Sequence, residues 1–318
     1  MSLPRVEVKR QMGRGDIDAV SALLDVAAAI DGHRALGEHQ WLDLVQGGRE
    51  GFAGLVAWEP GHDHPVAYAQ VTRGVADGSW ALEFVVDPHH RDRLATIGHE
   101  VVGEAIAIVG AEGGGHVHMW VPKPTPAHDA IAEAVGLRRG RELLQLRRPL
   151  PVDDAHRYGS EPLPVRAFIP GRDEEAWLEV NNRAFRHHPE QGGWDLETIK
   201  NREAQPWFDP DGFLLYEQDG RLAGFCWTKI HRDVAPHLGE IYVIGTDPDF
   251  EGRGLGRRLV LAGLDWLAGR GLTVGMLYVD AANEGAVHLY EKLGFTVDHI
   301  DRAYVGDVRA KLDIPHRN

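Results

Sequence analysis

The chain has one cysteine, Cys226, so it cannot form an internal disulfide. It contains no run of 18 or more apolar residues, and its first residues lack the apolar stretch of a secretion signal. Basic residues are scarce, since 34 Lys and Arg stand against 48 Asp and Glu and the formal net charge is −14. We therefore expect a cytoplasmic protein that binds neither nucleic acid nor a membrane, in which Cys226 is inert core.

Motifs for metal binding are also missing, although the chain has 18 histidines. No His-Glu-x-x-His sequence or Cys/His cluster occurs, and the adjacent pairs His89-His90 and His187-His188 are poorly spaced for one ion. The sequence therefore predicts no functional metal site.

An internal repeat divides the chain. The length of 318 residues suits two domains of about 150 residues each. Trp80 to Pro88 reads as a strand before an apolar helix, as Glu240 to Pro248 does, and the two Asp-Pro pairs lie 160 positions apart. We predict a monomeric chain with two copies of one α/β unit, at residues 1–150 and 161–318, joined by a linker at 151–160.

A glycine-spaced turn follows the strand predicted from Glu240 to Gly245. From Asp247 to Arg257 it reads Asp-Pro-Asp-Phe-Glu-Gly-Arg-Gly-Leu-Gly-Arg, and it leads into an apolar helix. Backbone N–H groups at a helix start lack intrahelical partners and attract anions, and glycines let a phosphate approach the backbone closely. The alternating glycines spell neither the dinucleotide motif nor the triphosphate loop. The pattern predicts a site for the pyrophosphate of a cofactor tail.

A second motif lies between Asn283 and Phe295. Asn283 is a good N-cap, Gly294 is a good helix stop, and Tyr290 falls beside the core face of the helix between them. In this order the two motifs resemble the acetyl-CoA site of the GNAT N-acetyltransferases, whose loop reads Gln/Arg-x-x-Gly-x-Gly/Ala; here Glu251 takes the first position. The resemblance implies an α/β protein with two tandem domains, each a mixed, largely antiparallel central sheet flanked by helices, and acetyl-CoA as co-substrate.

The same resemblance implies three groups of residues that contact acetyl-CoA. They are the strand end Ile244, Gly245 and Thr246, the loop Glu251, Gly252, Arg253, Gly254, Leu255, Gly256 and Arg257, and the helix start Asn283, Glu284, Gly285, Ala286, Val287 and His288. Backbone amides do most of the binding in this interpretation, and the arginine side chains add positive charge. The strand splays near Ile244 in this family, so its N–H is the expected oxyanion donor.

Acetyl transfer to an amine needs a neutral amine, a donor to the tetrahedral oxyanion and a proton for the departing thiolate. Glu240 begins the strand that leads into the glycine loop, which makes it the candidate general base, directly or through a water. Tyr290 is the candidate general acid, because a tyrosine of pKa near 10 is protonated at neutral pH. One carboxylate suffices for an α-amine, whose pKa is near 8. The alternative interpretations are that Glu240 is a strand-end carboxylate that faces solvent and that Tyr290 only packs against the core.

A narrower resemblance concerns the acceptor. The stretches His188 to Trp194, Trp227 to His231 and Leu238 to Val243 are similar to tandem GNAT enzymes that acetylate the cysteinyl α-amine of desacetylmycothiol. The resemblance implies that the following side chains contact the substrate: Glu38, Glu190, Lys229, Glu240 and Tyr278. Lys229 and Glu190 could instead form a solvated ion pair, which contributes little to stability.

The first copy of the repeat has lost the features on which this chemistry depends. Moving the glycine loop back by 160 positions reaches Arg91 to Ile97, which has no glycine, and Ala132 stands in the place of Tyr290. Leu94 and Thr96 would crowd a pyrophosphate. We therefore expect the first domain to be catalytically inert and to bind acetyl-CoA poorly or not at all.

Two other functions remain open from the sequence. The chain could acetylate a different amine, such as a protein amino terminus or an aminoglycoside. It could also be a non-catalytic sensor that binds acetyl-CoA, although the presence of both Glu240 and Tyr290 speaks against this.

Overall fold

Helices and strands follow one another in two similar series, as the internal repeat predicts. The structure, a computed structural model, describes residues 3–74, 78–186, 191–232 and 234–311, with only the backbone of Glu38. The chain divides into unit 1, Met1–Leu143 with His299–Asn318, and unit 2, Leu144–Asp298.

The first series has six strands and four helices in the described residues. They are β1 (Arg5–Lys9), α1 (Arg14–Asp31), α2 (Glu38–Val45), β2 (Phe52–Trp58), β3 (Ala67–Arg73), β4 (Trp80–Val86), α3 (Leu94–Ala111), β5 (Gly114–Pro122), α4 (Pro126–Ala134) and β6 (Arg138–Pro149). A 3-10 helix at Pro88–Arg93 precedes α3.

The second series starts after a short helix in the connecting segment, α5 (Asp154–Arg157). It consists of β7 (Arg166–Ala167), α6 (Glu174–Ala184), α7 (Leu196–Glu203), β8 (Phe213–Gln218), β9 (Arg221–His231), β10 (Leu238–Thr246), α8 (Leu255–Gly269), β11 (Val274–Asp280), α9 (Glu284–Lys292) and β12 (Thr296–Arg309). A 3-10 helix at Pro248–Phe250 precedes α8, which matches the 3-10 helix before α3.

The central strands of unit 1 are covered on both faces. Strand β2 is buried over almost its whole length, which fits its continuous apolar run. Helix α3 contributes Ile97, Val101 and Val109 to the same core. The segment Pro88–Ala111 is long and apolar enough to cross a membrane by length and composition alone, but its apolar residues form part of this core.

Each unit completes its sheet with a strand from the other series. In unit 1 the strand order is β1-β2-β3-β4-β5-β12, and in unit 2 it is β6-β11-β10-β9-β8-β7. Strand β12 pairs antiparallel with β5, from Asp301 opposite Pro122 to Arg309 opposite Gly114. The division therefore differs from the predicted 1–150 and 161–318, because the final strand of each repeat pairs in the other unit. Along the described chain both sheets are mixed and largely antiparallel, as the fold class requires.

Unit 2 packs its aromatic residues on one face of the sheet. Trp177 of α6 lies against Phe213, Phe225 and Trp227 with ring centroids 5.3 to 5.8 Å apart and interplanar angles of 69° to 88°. Edge-to-face pairs of this kind add to the stability gained by burial. Cys226 points into the other core of the unit, and burial raises the pKa of its thiol, as expected of inert core.

Unit 1 contains a buried carboxyl whose ionisation should be visible in unfolding experiments. Glu83 of β4 accepts a hydrogen bond from the Gly37 N–H through Oε2 at 2.7 Å. Burial raises the pKa of Glu83 from its ordinary value of 4.5 to about 7. Between these pH values the folded chain binds more protons at this group than the unfolded chain, so the free energy of unfolding falls as the pH rises.

The substitution Glu83→Gln should remove this loss of stability. Between pH 4.5 and pH 8 we expect the free energy of unfolding of the parent to fall by about 3 kcal/mol more than that of the variant, since one pKa unit corresponds to about 1.4 kcal/mol. Thermal unfolding at pH 5 and pH 8 checks the difference, with Glu104→Gln on an exposed site of α3 as the control. An equal change of thermal stability with pH in the parent and in Glu83→Gln would contradict this prediction.

Candidate active site

The two central strands of unit 2 separate at the point where acetyl-CoA is expected. Within residues 234–311 the parallel register joins Leu238–Ile241 of β10 to Val274–Leu277 of β11 and extends no further. On its other side, β10 pairs with β9, with a bulge between Ile241 and Val243. A bulge next to a functional site re-aims the neighbouring side chains. The carboxyl half of β10, including Ile244, therefore has a free edge toward β11 for an extended ligand.

Glu240 lies at the start of this separation and is buried. Its Cα partners are Lys229 in β9 and Met276 in β11. Nε2 of His231 and Oε2 of Glu240 are 2.7 Å apart. When the carboxyl is ionised it only accepts hydrogen bonds, and the imidazole is then the donor in this contact. The solvent-facing interpretation of Glu240 is therefore wrong: the carboxylate is held in place by an imidazole.

Lys229 lies beside two aromatic rings. Its Nζ is 4.4 Å from the centroid of Trp207 and 5.3 Å from that of Tyr242. The Tyr242 hydroxyl accepts a hydrogen bond from Nε of Arg202, whose guanidinium stacks 3.9 Å above the ring of Trp194. A cation over the face of an aromatic ring is attracted by the negative potential of that face. The wall next to Glu240 is thus built from paired cations and aromatic rings.

The other predicted substrate contacts are placed only in part. Tyr278 of β11 is exposed, and its hydroxyl accepts a hydrogen bond from Nε2 of Gln145 at 2.7 Å. Glu190 and the side chain of Glu38 lie outside the described residues. Tyr278 therefore has a fixed hydroxyl on the accessible side of its strand.

The glycine loop has the geometry that its sequence predicts. Gly252 and Gly254 have φ values of +74° and +73°, which L side chains rarely adopt, and a Cβ built on either would meet no atom within 4 Å. These glycines are therefore required by backbone conformation and leave open space above the loop. Asp247 caps the preceding 3-10 helix by accepting a hydrogen bond from the Asp249 N–H, and α8 begins at Leu255. The start of α8 thus faces this open space with its positive dipole end.

The arginine side chains of the loop have other partners as well. Arg257 donates to Ser160 Oγ at 2.8 Å and to the His156 carbonyl at 2.6 Å. Arg258 donates to the carbonyls of Glu161 and Pro162. These two guanidinium groups at the start of α8 thus fasten the segment that precedes β7. Arg253 stacks on the ring of Phe250, with 5.1 Å between guanidinium and centroid.

Helix α9 presents the candidate acid from inside the core. Asn283 caps the helix by accepting from the Ala286 N–H at 3.2 Å, and Gly294 ends it with a φ of +78°, so both predictions are confirmed. Tyr290 is buried, with Phe295 5.9 Å away in an edge-to-face arrangement. Burial raises the pKa of Tyr290 to about 12, so its hydroxyl keeps its proton at neutral pH.

The substitution Gly254→Ala tests the pyrophosphate site. An alanine there is strained and places a methyl group where the loop is open, so we expect KM for acetyl-CoA to rise about tenfold, equivalent to about 1.4 kcal/mol of binding. Gly271→Ala is the matched control, since Gly271 also has a positive φ, +83°, and open surroundings, at the far end of α8. Equal changes of KM in the two variants would mean that the loop does not bind the co-substrate.

Unit 1 has a similar separation of strands but different side chains. Its strands β4 and β5 pair in parallel only from Trp80 to Leu82. The cleft beyond is lined in part by Leu94 and by Arg91, which donates two hydrogen bonds of 2.6 Å to Asp31. Ala132 of α4 is buried in the core. Unit 1 thus keeps the fold of the site without its glycine loop or its tyrosine.

Sequence reasoning gave no role to His231, Trp207, Tyr242 or Gln145. The sequence did contain a signal for His231. In an antiparallel pair, each residue has one residue directly opposite it on the partner strand, and the residues two positions before and after that one are its diagonal neighbours on the same face. With Lys229 opposite Glu240, His231 is that neighbour. No such pairing rule applies to Trp207, which lies in the connection between α7 and β8.

Comparisons with known proteins agree with this geometry. The acetyltransferase (GNAT) family profile matches residues 175–295. A mycothiol acetyltransferase of Acidimicrobium ferrooxidans is 46% identical over 289 residues, covering 90% of this chain and 92% of that protein. A mycothiol acetyltransferase of Thermobispora bispora is 43% identical, covering 94% of this chain and 98% of that protein.

Solved structures show the same fold. A tandem GNAT protein from the clavulanic acid biosynthesis pathway superposes with a TM-score of 0.70 at 15% identity, over 97% of this chain and 100% of that one. A GCN5-related N-acetyltransferase from Sphaerobacter thermophilus gives 0.64 at 22% identity, over 98% and 99%. The chain is an acetyl-CoA-dependent N-acetyltransferase and belongs to the tandem GNAT family of mycothiol acetyltransferases.

Proposed function

We propose that the chain transfers the acetyl group of acetyl-CoA to the cysteinyl α-amine of desacetylmycothiol, the last step of mycothiol biosynthesis. The observation that carries the chemistry is the buried Glu240 carboxylate, bonded to His231 at the start of the separation between β10 and β11. The names of the relatives at 40% identity and above support the choice of acceptor.

In the proposed reaction Glu240 takes the proton that the amine loses. Its Oε2 is bonded to His231, so we assign Oε1 to the acceptor amine. An α-amine with a pKa near 8 is partly neutral at physiological pH, so one carboxylate can complete its deprotonation. His231 orients the carboxylate in this scheme and is a positioning residue. The amine attacks the thioester carbonyl, and the Ile244 N–H at the free edge of β10 stabilises the oxyanion.

Collapse of the tetrahedral intermediate breaks the bond between carbon and sulfur. Tyr290 donates its hydroxyl proton to the departing thiolate, which leaves as the free thiol of CoA. Gly252, Gly254 and the start of α8 hold the pyrophosphate during this step. Lys229 and Tyr278 contact the sugar and inositol hydroxyls of the acceptor in this proposal.

Release of free CoA with a panel of acceptors tests the proposal. The panel contains desacetylmycothiol, the same amino sugar without its cysteinyl group, free cysteine, a peptide with a free amino terminus and an aminoglycoside. We expect kcat/KM for desacetylmycothiol to exceed the others by at least 100-fold. Preference for the peptide or the aminoglycoside would reject this acceptor while leaving the acetyl-transfer chemistry intact.

We also propose that unit 1 has no catalytic activity of its own. Ala132 stands in place of the acid, and Arg91 is held by Asp31 where unit 2 has a glycine loop. We therefore expect mutation of Arg91 to leave the remaining turnover of a Glu240→Gln/Tyr290→Phe double variant unchanged. Residual turnover that is lost on mutation of Arg91 would assign activity to unit 1.

A further inference from the structure

Unit 1 contains a cluster of imidazoles and a carboxylate that acetyl transfer does not use. Glu59 and His62 lie in the connection after β2, and His90 lies in the 3-10 helix before α3. One ligand atom from each of the three lies within 4.8 Å of the other two. We propose that Glu59, His62 and His90 bind a Zn²⁺ ion, with His64 beside them; we call these four residues the histidine cluster.

The spacing of the rings fits a shared ion. The ring centroids of His62 and His90 are 4.9 Å apart, and that of His64 lies 5.6 Å and 6.4 Å from them. Two imidazoles bound tetrahedrally to one zinc, with Zn–N bonds of about 2.0 Å, have centroids about 5 Å apart. Nε2 of His62 and Oε2 of Glu59 are 4.0 Å apart, too far for a hydrogen bond. Rotation of the exposed His62 side chain can bring them to the separation of about 3.4 Å that a shared zinc requires.

A buried nitrogen in the cluster has no hydrogen-bond partner. Nδ1 of His90 is inaccessible to solvent and unsatisfied within the described part of the chain, and Oδ1 of Asp87 is 3.9 Å away. Buried polar atoms in native proteins are nearly always satisfied, and an exception calls for an explanation such as a bound ion. A cation bound through Nδ1 would satisfy this nitrogen.

The charge around the cluster favours a divalent cation. Glu59 has one guanidinium close to it, with Nη1 of Arg93 2.6 Å from Oε1. Asp87 adds a second, buried carboxylate, whose oxygens lie 3.3 Å from Nε2 of His64 and 2.9 Å from Nδ1 of His89. Arg91, whose charge also acts on Asp87, is paired with Asp31, so Glu59 and Asp87 against Arg93 leave a net negative charge.

The ligand set selects the kind of metal. Imidazoles with a carboxylate suit zinc and similar transition metals, whereas calcium and magnesium prefer oxygen ligands alone. A bound ion would join the connection after β2 to the 3-10 helix that follows β4. Its role would be to stabilise unit 1, because an ion that binds only the folded state raises the free energy of unfolding.

Calorimetric titration of Zn²⁺ into the full chain, without a histidine tag and after treatment with a chelator, tests this inference. We expect the parent to bind one Zn²⁺ per chain and to show a higher Tm in its presence. Glu59→Gln and His62→Ala should each weaken binding at least tenfold and lose most of the rise in Tm. Both substitutions change side chains in a surface connection, and circular dichroism checks that the variants are folded.

Two histidines elsewhere in unit 1 provide the control. His99 and His116 are exposed, and the double variant His99→Ala/His116→Ala should bind Zn²⁺ as the parent does. Absence of binding in the folded parent would overturn the inference. Equal binding in the parent and in a His62→Ala/His90→Ala variant would also overturn it, because the ion would then be held by other histidines. The release of CoA should not depend on Zn²⁺ in any of these proteins.

Discussion

Replacement of Glu240 by glutamine should lower kcat for acetyl transfer by about 10²- to 10⁴-fold, the usual contribution of a general base. The carboxylate is buried and is bonded to His231 at 2.7 Å. Glutamine has nearly the same shape, and its side-chain oxygen can still accept the hydrogen bond from Nε2 of His231. What the substitution removes is the ability to take a proton from the amine.

The pH dependence separates this role from a role in binding. For an acceptor amine with a pKa near 8, the neutral fraction rises from about one-tenth at pH 7 to about nine-tenths at pH 9. The rate of Glu240→Gln should therefore rise about tenfold over this range, because the fraction of amine that can attack without a base rises by this factor. Glu291→Gln, an exposed site on α9, should behave as the parent. A kcat for Glu240→Gln within threefold of the parent would exclude the carboxylate as base.

His231→Gln is the companion to this experiment. It should lower kcat about tenfold, because one hydrogen bond to a charged group contributes about 1.5 kcal/mol or more. The effect should be much smaller in the Glu240→Gln background, where orientation of the side chain no longer matters. Equal effects in both backgrounds would show that His231 acts independently of Glu240.

Replacement of Tyr290 by phenylalanine has the second largest expected effect, a loss of about 10²-fold in kcat. Burial raises the pKa of Tyr290 to about 12, so the hydroxyl is a proton donor throughout the physiological range. Phenylalanine keeps the ring and its packing against Phe295, which lies 5.9 Å away. We therefore expect the Tm and the KM for acetyl-CoA to change little while the chemical step slows.

Steady-state kinetics and thermal unfolding of Tyr290→Phe check both parts of this expectation. The control is Tyr216→Phe, since Tyr216 of β8 is a partly buried tyrosine packed against the same core. Unchanged turnover in Tyr290→Phe would assign protonation of the thiolate to water or another group. A large fall in Tm would instead mean that the hydroxyl has a structural partner.

The parts of the site that the sequence predicts are those with local signals. The glycine loop is recognisable because Gly252 and Gly254 need left-handed backbone, and α9 because Asn283 and Gly294 begin and end it. These features depend on a few neighbouring residues, whose conformational preferences do not need the rest of the fold.

The features that escaped prediction depend on distant pairings. The bond from His231 to Glu240 requires the register of β9 on β10, and the contacts of Arg257 require the path of the segment near Ser160. The exchange of β6 and β12 escaped for the same reason, because these charged strands have no strong one-sided apolar pattern to indicate which sheet edge they will join. The histidine cluster joins positions about 30 residues apart, so no motif spells it.

The exchange of final strands limits how this protein can be divided into its two repeats. A chain cut at residue 150 would leave β5 without the β12 strand that pairs along its length. Exposed strand edges of this kind promote aggregation. The catalytic series expressed alone would likewise lack β6, which lies next to β11. The copy without a tyrosine or a glycine loop therefore cannot be deleted, however little chemistry it performs, because the active unit uses one of its strands.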